Sequence, residues 1–307
     1  MAILITGGMG FIGRHLAERL IEAEQEVVIF DIDMETHKDA SVEGAILIQG
    51  DISNVQLLED SCEKYKFHTI FHLASILPPK TEEDPYYTFK INLEGTMNVL
   101  KAAVKYNVKN IIYTSSATVF GPDRTPPFTE EDLRDPWTVY SSYKICNEII
   151  GSIYSKKFDL NFRAVRFPVV LGPGRVRFSG MTNYPIEMLE DAIHGKPYVA
   201  NVSPDTKIPI IYVEDAVQVL INLWRIENIH FEIYDIDGLW VSANEIAEGI
   251  KKYIPSAEIT FKPVEDASVN KVLNGVKEEK EKDRFGMRGK RLLDEILQEY
   301  ISRSEDE

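Results

Sequence analysis

Cysteine and long apolar runs are both scarce in this chain of 307 residues. Its two cysteines, Cys62 and Cys146, lie far apart, and neither they nor the six histidines have the spacing of metal ligands. Unpaired thiols are typical of proteins in a reducing compartment. No apolar run approaches the roughly 18 residues that a membrane-spanning helix requires, and no leader-like segment precedes the first strand. We therefore expect a cytoplasmic protein that binds no metal and no membrane.

Positive charge is also in short supply. The chain has 34 basic and 49 acidic residues, which gives a formal net charge of −15. A surface of this sign repels the phosphates of nucleic acids and of anionic lipids. The composition therefore argues against a nucleic-acid partner, although a local basic patch could still bind a phosphate.

Short apolar runs rich in β-branched residues alternate with stretches of helical period. Ile12, Leu16 and Leu20 recur at intervals of four and form one face of a first helix. Strands that are apolar throughout and separated by helices indicate a parallel sheet covered on both faces. We therefore predict a doubly wound α/β fold, with helices over 92–107 and 140–158 and strands over 2–6, 26–30, 45–49, 69–74, 110–115 and 162–167.

After residue 168 the alternation is less regular. Ser242 and Glu245 have the spacing of a capping box, which predicts the start of a helix. The stretch 172–180 has the composition of a loop, and the mixed charges of 276–284 indicate a solvated surface. In this part we predict helices over 182–195, 213–226, 242–254 and 289–303 and strands over 231–236 and 257–262.

A cluster of glycines follows the first predicted strand. Gly7, Gly10 and Gly13 are spaced so that the chain can turn sharply, a pyrophosphate can approach the backbone, and the helix can pack closely on the sheet. Asp31 ends the second strand, where a carboxylate accepts hydrogen bonds from the adenosine ribose of NAD and repels the extra phosphate of NADP. Arg14 leaves NADP open, since a basic side chain in the loop could bind that phosphate.

Two further residues adjoin strand ends. Asp51 follows the third strand and either contacts the adenine edge or caps a helix. His72 ends the fourth strand, and we expect it to be a structural residue rather than a catalytic one.

Tyr140 and Lys144 are four residues apart in a predicted helix, so they lie on one face. A phenol has a pKa near 10 and is a poor base at neutral pH, but a nearby ammonium group lowers that pKa toward the working range. Tyr143 is the poorer partner, because neighbouring residues on a helix point about 100° apart. The pair therefore predicts a general base and its activator.

The fifth strand ends in a run of hydroxyl residues, at the edge where α/β sheets place their ligands. Ser116 is the candidate that would hold a substrate oxygen while Tyr140 moves its proton. Ser115 and Thr114 are the alternatives.

These motifs together resemble those of the extended short-chain dehydrogenases/reductases. The similarity covers TGGMGFIG with Asp31, GDIS, FHLAS, NLEGTMNVL, TSSATVFG, the Y-x-x-x-K at 140–144 and RFPVVLGPG, in family order and up to about residue 225. It implies a Rossmann domain with NAD as cofactor, and hydride transfer between a secondary alcohol and nicotinamide. It also implies catalysis by Ser116, Tyr140 and Lys144.

The same resemblance implies a division of the chain. Residues 1–170, with 207–238 returning to them, would form the NAD-binding domain, and 171–206 with 239–307 a smaller α/β substrate-binding region. Lys144 would also bond the nicotinamide ribose, and Asn92 would shape the proton path. The implied cofactor-binding residues are Gly7, Gly10, Phe11, Ile12, Gly13, Asp31, Asp51, Ile52, Leu73, Ala74, Asn92, Tyr140, Lys144 and Phe167.

The substrate region resembles one branch of this family more than another. The stretches 72–85, 180–185 and 206–217 are similar to those of short-chain-type L-threonine 3-dehydrogenases, in which a threonine at the place of Thr182 and a tyrosine at the place of Tyr212 lie near the substrate. Many nucleotide-sugar enzymes carry an asparagine where this chain has Pro168. The implied substrate-binding residues are Ser75, Ser116, Thr182, Tyr212 and Arg175.

We therefore expect a dehydrogenase of a small hydroxy acid, sugar acid or amino acid, with L-threonine as the first compound to test. The alternative is a nucleotide-sugar 4-epimerase or dehydratase with tightly bound NAD, since Arg175 and Arg177 could bind either a carboxylate or a diphosphate. A third hypothesis is a non-catalytic NAD-binding sensor. Finally, Ile145, Ile149 and Ile153 form an apolar stripe that is either part of the core or a helix-pairing surface, and we favour the second, which predicts a homodimer.

Overall fold

The computed structural model describes residues 2–34, 42–121, 133–175, 182–227, 229–236, 238–263, 289 and 291–305. The chain divides into two compact units. The first unit comprises Met1–Ser116, Thr138–Arg166 and Val217–Asp235, and the second comprises Ala117–Trp137, Phe167–Ala216 and Ile236–Glu307. These limits differ from the predicted domains because 117–137, 167–170, 207–216 and 236–238 belong to the second unit. The assignment of cofactor and substrate to particular domains stays a prediction.

The strands are short and mostly buried. In chain order they are β1 Ile3–Thr6, β2 Val27–Asp31, β3 Ile46–Gln49, β4 Thr69–His72, β5 Asn110–Ser116, β6 Asn161–Phe167, β7 Val169–Leu171, β8 Tyr198–Ala200, β9 Lys207–Tyr212, β10 Phe231–Asp235, β11 Leu239–Ser242 and β12 Ile259–Phe261. A seven-stranded sheet in the order β10-β6-β5-β4-β1-β2-β3 organises the first unit, and its strands run parallel. The predicted doubly wound parallel sheet is confirmed.

The helices connect and flank these strands. They are α1 Phe11–Glu22, α2 Val55–Tyr65, α3 Lys80–Glu83, α4 Pro85–Phe89, α5 Thr96–Lys105, α6 Val139–Phe158, α7 Tyr184–Ile193, α8 Val213–Arg225, α9 Ala243–Tyr253 and α10 Leu293–Glu305. A π-helical turn, Lys90–Gly95, leads into α5, and a 3₁₀ turn, Ala117–Phe120, follows β5. No helix in the described ranges has the length and apolar content to cross a membrane.

The core of the first unit explains why these strands form. Leu4, Val28, Phe30, Ile70 and Ile111 belong to one cluster of buried side chains. Fully burying a side chain of this kind contributes about 1.5–3 kcal/mol relative to leaving it in water. Strands that alternate in sequence with helices bury both faces of a parallel sheet in this way.

The second unit contains two smaller sheets. One has the order β11-β9-β7, with β11 antiparallel and β7 parallel to β9, and the other pairs β12 with β8 in parallel. The helix α9 begins with the predicted capping box, in which Ser242 accepts from the backbone of Glu245.

The sequence analysis missed β7, β8, β9 and β11. Three of these strands have only three or four residues, too few for a clear period. The charged stretch 276–284 and the second half of the loop 172–180 lie outside the described residues.

Candidate active site

The glycine turn between β1 and α1 has no room for side chains at two positions. Gly7 has φ +70°, and a Cβ there would lie 2.6 Å from the backbone nitrogen of Ala74. A Cβ on Gly13 would lie 2.4 Å from the carbonyl oxygen of Gly7. The helix α1 begins after Gly10, so the unpaired backbone N–H groups of its first turn point toward the glycine turn, where Gly10 carries no side chain. This arrangement fits a pyrophosphate at a helix N-terminus.

Asp31 is fixed beside this turn. Its Oδ2 accepts from the backbone N–H of Met9 at 2.9 Å, and its Oδ1 accepts from that of Asp33 at 3.2 Å. Burial raises the pKa of Asp31, while hydrogen bonds from Asp33, Met9 and Ile32 lower it. Each carboxylate oxygen has two lone pairs, so capacity remains for the hydroxyls of a ribose. The turn and Asp31 together fit NAD.

The other predicted cofactor residues of the first unit line the same sheet edge. Phe11 and Ile12 open α1, while Leu73 and Ala74 follow β4, where the Leu73 N–H donates to the Thr6 carbonyl at 3.0 Å. Ile52 is buried. Phe167 is also buried but belongs to the second unit.

Asp51 does not cap the following helix. Its Oδ1 accepts from the backbone N–H of Ser53 at 2.8 Å, which closes a local turn. The side chain of Asn54 caps α2 instead, by accepting from Leu57. The capping alternative for Asp51 was therefore wrong, and its contact with adenine stays a prediction.

Tyr140 and Lys144 meet on one face of α6. The Nζ of Lys144 lies 5.4 Å from the ring centroid of Tyr140 and 4.8 Å from that of Tyr113, and it donates to the Thr114 carbonyl at 2.7 Å. Burial lowers the pKa of Lys144 to about 7, while the charge of Glu148 raises it. Because this pKa lies close to neutral pH, the protonated fraction of Lys144 depends on the charges around it.

The alternatives to this pair and to Ser116 have other partners. The hydroxyl of Tyr143 donates to the Pro85 carbonyl at 2.7 Å. Ser115 points away from Ser116, as neighbours on a strand do, and donates to Glu148. Thr114 donates to the His72 carbonyl at 3.4 Å. The hydroxyls of all three alternatives are thus engaged within the first unit, and the catalytic roles of Tyr140 and Ser116 stay predictions.

His72 lies inside the fold as a neutral hydrogen-bonding residue. Its Nδ1 is 2.7 Å from the hydroxyl of Thr6, and its Nε2 is 2.9 Å from that of Thr96. Burial, and then the charge of Lys144, lowers the pKa of His72 to about 3. This arrangement is that of a structural residue.

Asn92 lies in the π-helical turn and ties two segments together. Its side chain bonds both the N–H and the carbonyl of Ile76, at 2.7 and 2.8 Å, and Ser75 donates to it at 3.4 Å. Its carbonyl accepts from Asn147 at 2.8 Å. A π-helical turn displaces the regular hydrogen-bond ladder, which allows this contact.

Three residues that the sequence analysis did not name are Glu82, Glu148 and Arg166. Glu82 accepts from the backbone N–H groups of Val139 and Tyr140, at 3.1 and 3.2 Å, and so holds the start of α6. Glu148 and Arg166 form a buried ion pair. The spacing of Glu148, four residues after Lys144, was the signal that could have identified it.

In the second unit, Tyr212 is fully buried, and its hydroxyl has no hydrogen-bond partner among the described residues. The guanidinium of Arg291 lies 5.1 Å from its ring centroid. Arg175, whose side chain donates to the Val170 carbonyl, and Tyr212 both act electrostatically on Tyr300. Thr182 lies just before α7. Arg177 lies outside the described residues.

Within the described ranges, no group of three or more His, Cys, Asp and Glu side chains is positioned to hold a metal ion.

Comparison with known proteins gives the same architecture. Residues 3–236 match the NAD dependent epimerase/dehydratase family. The mitochondrial L-threonine 3-dehydrogenase of Bos taurus is 25% identical over 264 residues, which are 84% of this chain and 70% of that protein.

Two solved structures match nearly the whole chain. An L-threonine dehydrogenase of Clostridium difficile superposes with a TM-score of 0.90 at 26% identity and covers 99% of this chain and 98% of its own. A UDP-glucose 4-epimerase of Thermotoga maritima has a TM-score of 0.89 at 23% identity and covers 100% of both chains. The second likeness is one of fold alone.

Proposed function

Because the chain belongs to the NAD dependent epimerase/dehydratase family, we propose that it is an oxidoreductase of the extended short-chain dehydrogenase type. Its reaction is the oxidation of the secondary alcohol of a small polar substrate, and L-threonine is the first compound to test. The observation that carries this proposal is the buried Lys144 against the ring of Tyr140, in the same unit as the glycine turn and Asp31.

NAD, when bound, supplies the acceptor for the hydride of the substrate carbinol. Gly10 leaves space for its pyrophosphate, while Gly7 and Gly13 permit the tight turn and the close packing of α1. Asp31 accepts from its ribose in preference to a phosphorylated ribose. Phe11, Ile12, Leu73, Ala74 and the other predicted contacts would complete its site.

Tyr140 removes the proton from the substrate hydroxyl in this proposal. The ammonium of Lys144 stabilises the phenolate, which brings the pKa of the phenol toward neutral pH. Ser116 holds the substrate oxygen by a hydrogen bond. General base catalysis of this kind contributes about 10²–10⁴-fold to the rate.

The proposed substrate carries a carboxylate. Arg175 is a bidentate donor suited to a carboxylate, and the buried hydroxyl of Tyr212 offers a further hydrogen bond. Thr182 and Ser75 are the other proposed contacts. The similarity to L-threonine dehydrogenases at 25% and 26% identity supports this substrate class.

A nucleotide-sugar 4-epimerase or dehydratase is the second candidate. The likeness to a UDP-glucose 4-epimerase and the Gly-Pro-Gly-Arg sequence at 172–175 favour it, because Arg175 could equally bind a diphosphate. Pro168, where many such enzymes carry asparagine, argues against it. A non-catalytic NAD sensor is the least favoured candidate, because Ser116, Tyr140 and Lys144 are all present.

The test is an assay of NADH formation with L-threonine, a series of hydroxy acids and free sugars, run beside an assay of UDP-sugar interconversion. NADH formation with L-threonine or a hydroxy acid is the expected result. Interconversion of UDP-sugars without NADH release would instead establish the epimerase. Binding of NAD with neither activity would instead favour the non-catalytic NAD-binding sensor.

The proposed assembly is a homodimer in the cytoplasm. Ile149 and Ile153 on α6 are 56% and 43% exposed, and Met97 on the adjacent α5 is 43% exposed. Ile145, on the same stripe, is partly buried. Sedimentation should show a dimer for the natural chain and a monomer for Ile149→Glu, and a natural chain that sediments as a monomer would contradict the proposal.

A further inference from the structure

A buried ionic network lies next to the Tyr140–Lys144 pair, and the proposed reaction does not use it. The Oε2 of Glu148 accepts from Nη2 of Arg166 at 2.7 Å, and its Oε1 accepts from Nε of Arg166 at 2.8 Å. Ser115 donates to the same Oε1 at 2.5 Å. Asp235 accepts from Nη1 of Arg166 at 3.2 Å. The network thus joins α6, β5, β6 and β10.

Water has little access to this network. The side chains of Arg166 and Glu148 are 1% and 4% exposed, and that of Asp235 is 13% exposed. Two carboxylates face one guanidinium, so the three groups together carry one excess negative charge. In a medium of low dielectric, such a charge acts strongly on its neighbours.

The ammonium of Lys144 is a positive charge near this excess, because Lys144 and Glu148 hydrogen-bond to consecutive residues of β5, Thr114 and Ser115. Lys144 lies one helical turn before Glu148, and the charge of Glu148 favours its protonated form against the effect of burial. The other groups that face Lys144 are the rings of Tyr140 and Tyr113 and the Thr114 carbonyl. His72 lies close enough to feel the charge of Lys144, but it is itself neutral because burial lowers its pKa to about 3.

A stability role does not account for a network of this kind. Desolvating three charged groups costs several kcal/mol per ion, and apolar residues of the same volume are often as stabilising or more so. The network fixes the Glu148 carboxylate instead, because three hydrogen bonds from Arg166 and Ser115 occupy its two oxygens.

We propose that Glu148 is a positioning residue of the active site, whose carboxylate, held by Arg166 and Ser115, keeps Lys144 charged beside Tyr140. The inference rests on the proposed function, in which Tyr140 is the base. Glu148 does not itself contact the substrate. It acts through Lys144, and removal of its charge leaves a neutral lysine that no longer stabilises the phenolate.

The test is the titration of Tyr140, which requires neither cofactor nor turnover. The near-ultraviolet absorbance of tyrosinate is followed against pH, and the contribution of Tyr140 is obtained by subtracting the same titration of Tyr140→Phe. For Glu148→Gln the titration that is subtracted is that of the double variant Glu148→Gln/Tyr140→Phe. We expect the titration of Tyr140 to move to higher pH by about one unit in Glu148→Gln. A titration that is unchanged, or that moves to lower pH, would overturn the proposal.

Asp235→Asn is the matched control, because it removes the other carboxylate of Arg166, which lies on β10 and not on the helix of Lys144. We expect a shift less than half of that in Glu148→Gln, and Glu148→Asp should restore most of the natural titration. A merely structural network would instead give equal shifts in both amide variants, or none.

Two further outcomes remain decisive. If Glu148→Gln does not fold, Ser115→Ala takes its place, since it keeps every charge but releases one hydrogen bond to Glu148. A smaller shift in the same direction supports the proposal, and no shift overturns it. Absence of any dehydrogenase or epimerase turnover would refute the proposed function, while the tyrosinate titration would still decide the role of Glu148.

Discussion

Each unit of the molecule contains an ionic network, and the two differ in their access to water. In the first unit, Arg166 is 1% exposed and binds Glu148 and Asp235. In the second unit, Arg291 is 28% exposed and binds Glu214, Asp215 and Glu299, and Arg303 joins it on Glu214 and Glu299. The second network contacts Tyr212 through Arg291, and Glu148 of the first lies one helical turn from Lys144, which lies over the ring of Tyr140.

The difference in burial decides what each network can do. Charges that are shielded from water interact strongly over several ångströms. In the proposed role, the first network therefore favours the charged form of Lys144 and, through it, the phenolate of Tyr140. Charges at a wet surface are screened by solvent and salt. We infer that the second network contributes mainly packing, in which Arg291 covers the ring of Tyr212.

The largest effect is expected from Arg166→Leu. It leaves Glu148 and Asp235 buried without a counter-charge, which costs about 3–5 kcal/mol of unfolding free energy. Urea unfolding measures this loss, and Arg291→Leu is the matched control, for which we expect a much smaller loss. Equal losses would show that burial does not distinguish the two networks.

The next effect is a dependence of stability on pH that belongs to the first unit. His72 has a pKa of about 3 in the folded chain because of burial, against about 6.5 when unfolded. Below pH 6.5 the unfolded chain therefore binds the extra proton, and stability falls between about pH 6.5 and 3, by up to about 1.4 kcal/mol per pH unit.

Unfolding measured across that pH range in His72→Gln and in the natural chain checks this expectation. The slope should be smaller in His72→Gln and unchanged in His194→Gln, which alters an exposed histidine of the second unit. A slope that persists in His72→Gln would assign the acid sensitivity to another group.

The smallest effect is expected from Arg291→Gln. Ion pairs at a partly exposed site contribute about 1 kcal/mol or less each, and salt screens them. The difference in unfolding free energy between this variant and the natural chain should therefore decrease as salt is added. A loss comparable to that of Arg166→Leu, insensitive to salt, would contradict the comparison.

The sequence predicted those candidate site residues that lie close together in the chain, but not the residues that meet only through the fold. Gly7, Gly13 and Asp31 were identified because strand, turn and helix follow one another within one α/β unit. Tyr140 and Lys144 were paired because helical spacing places them on one face. In each case the physical constraint acts between neighbours in the chain.

The remainder depended on tertiary contacts. Arg166 and Asp235 meet although they are 69 positions apart, and no spacing rule connects them. Asp51 and Asn54 both had a side chain suited to capping, and only the backbone path selected Asn54. Likewise, helical periodicity over 92–107 did not indicate that the segment begins with a π-helical turn, Lys90–Gly95.

The most direct test of the account is the turnover of Tyr140→Phe, measured together with its NAD affinity. The phenol oxygen is the only atom group removed, so we expect kcat to fall by about 10²–10⁴-fold, while the Kd for NAD stays within a few-fold of the natural value. Turnover that survives in this variant with NAD affinity intact would show that Tyr140 does not carry the proton.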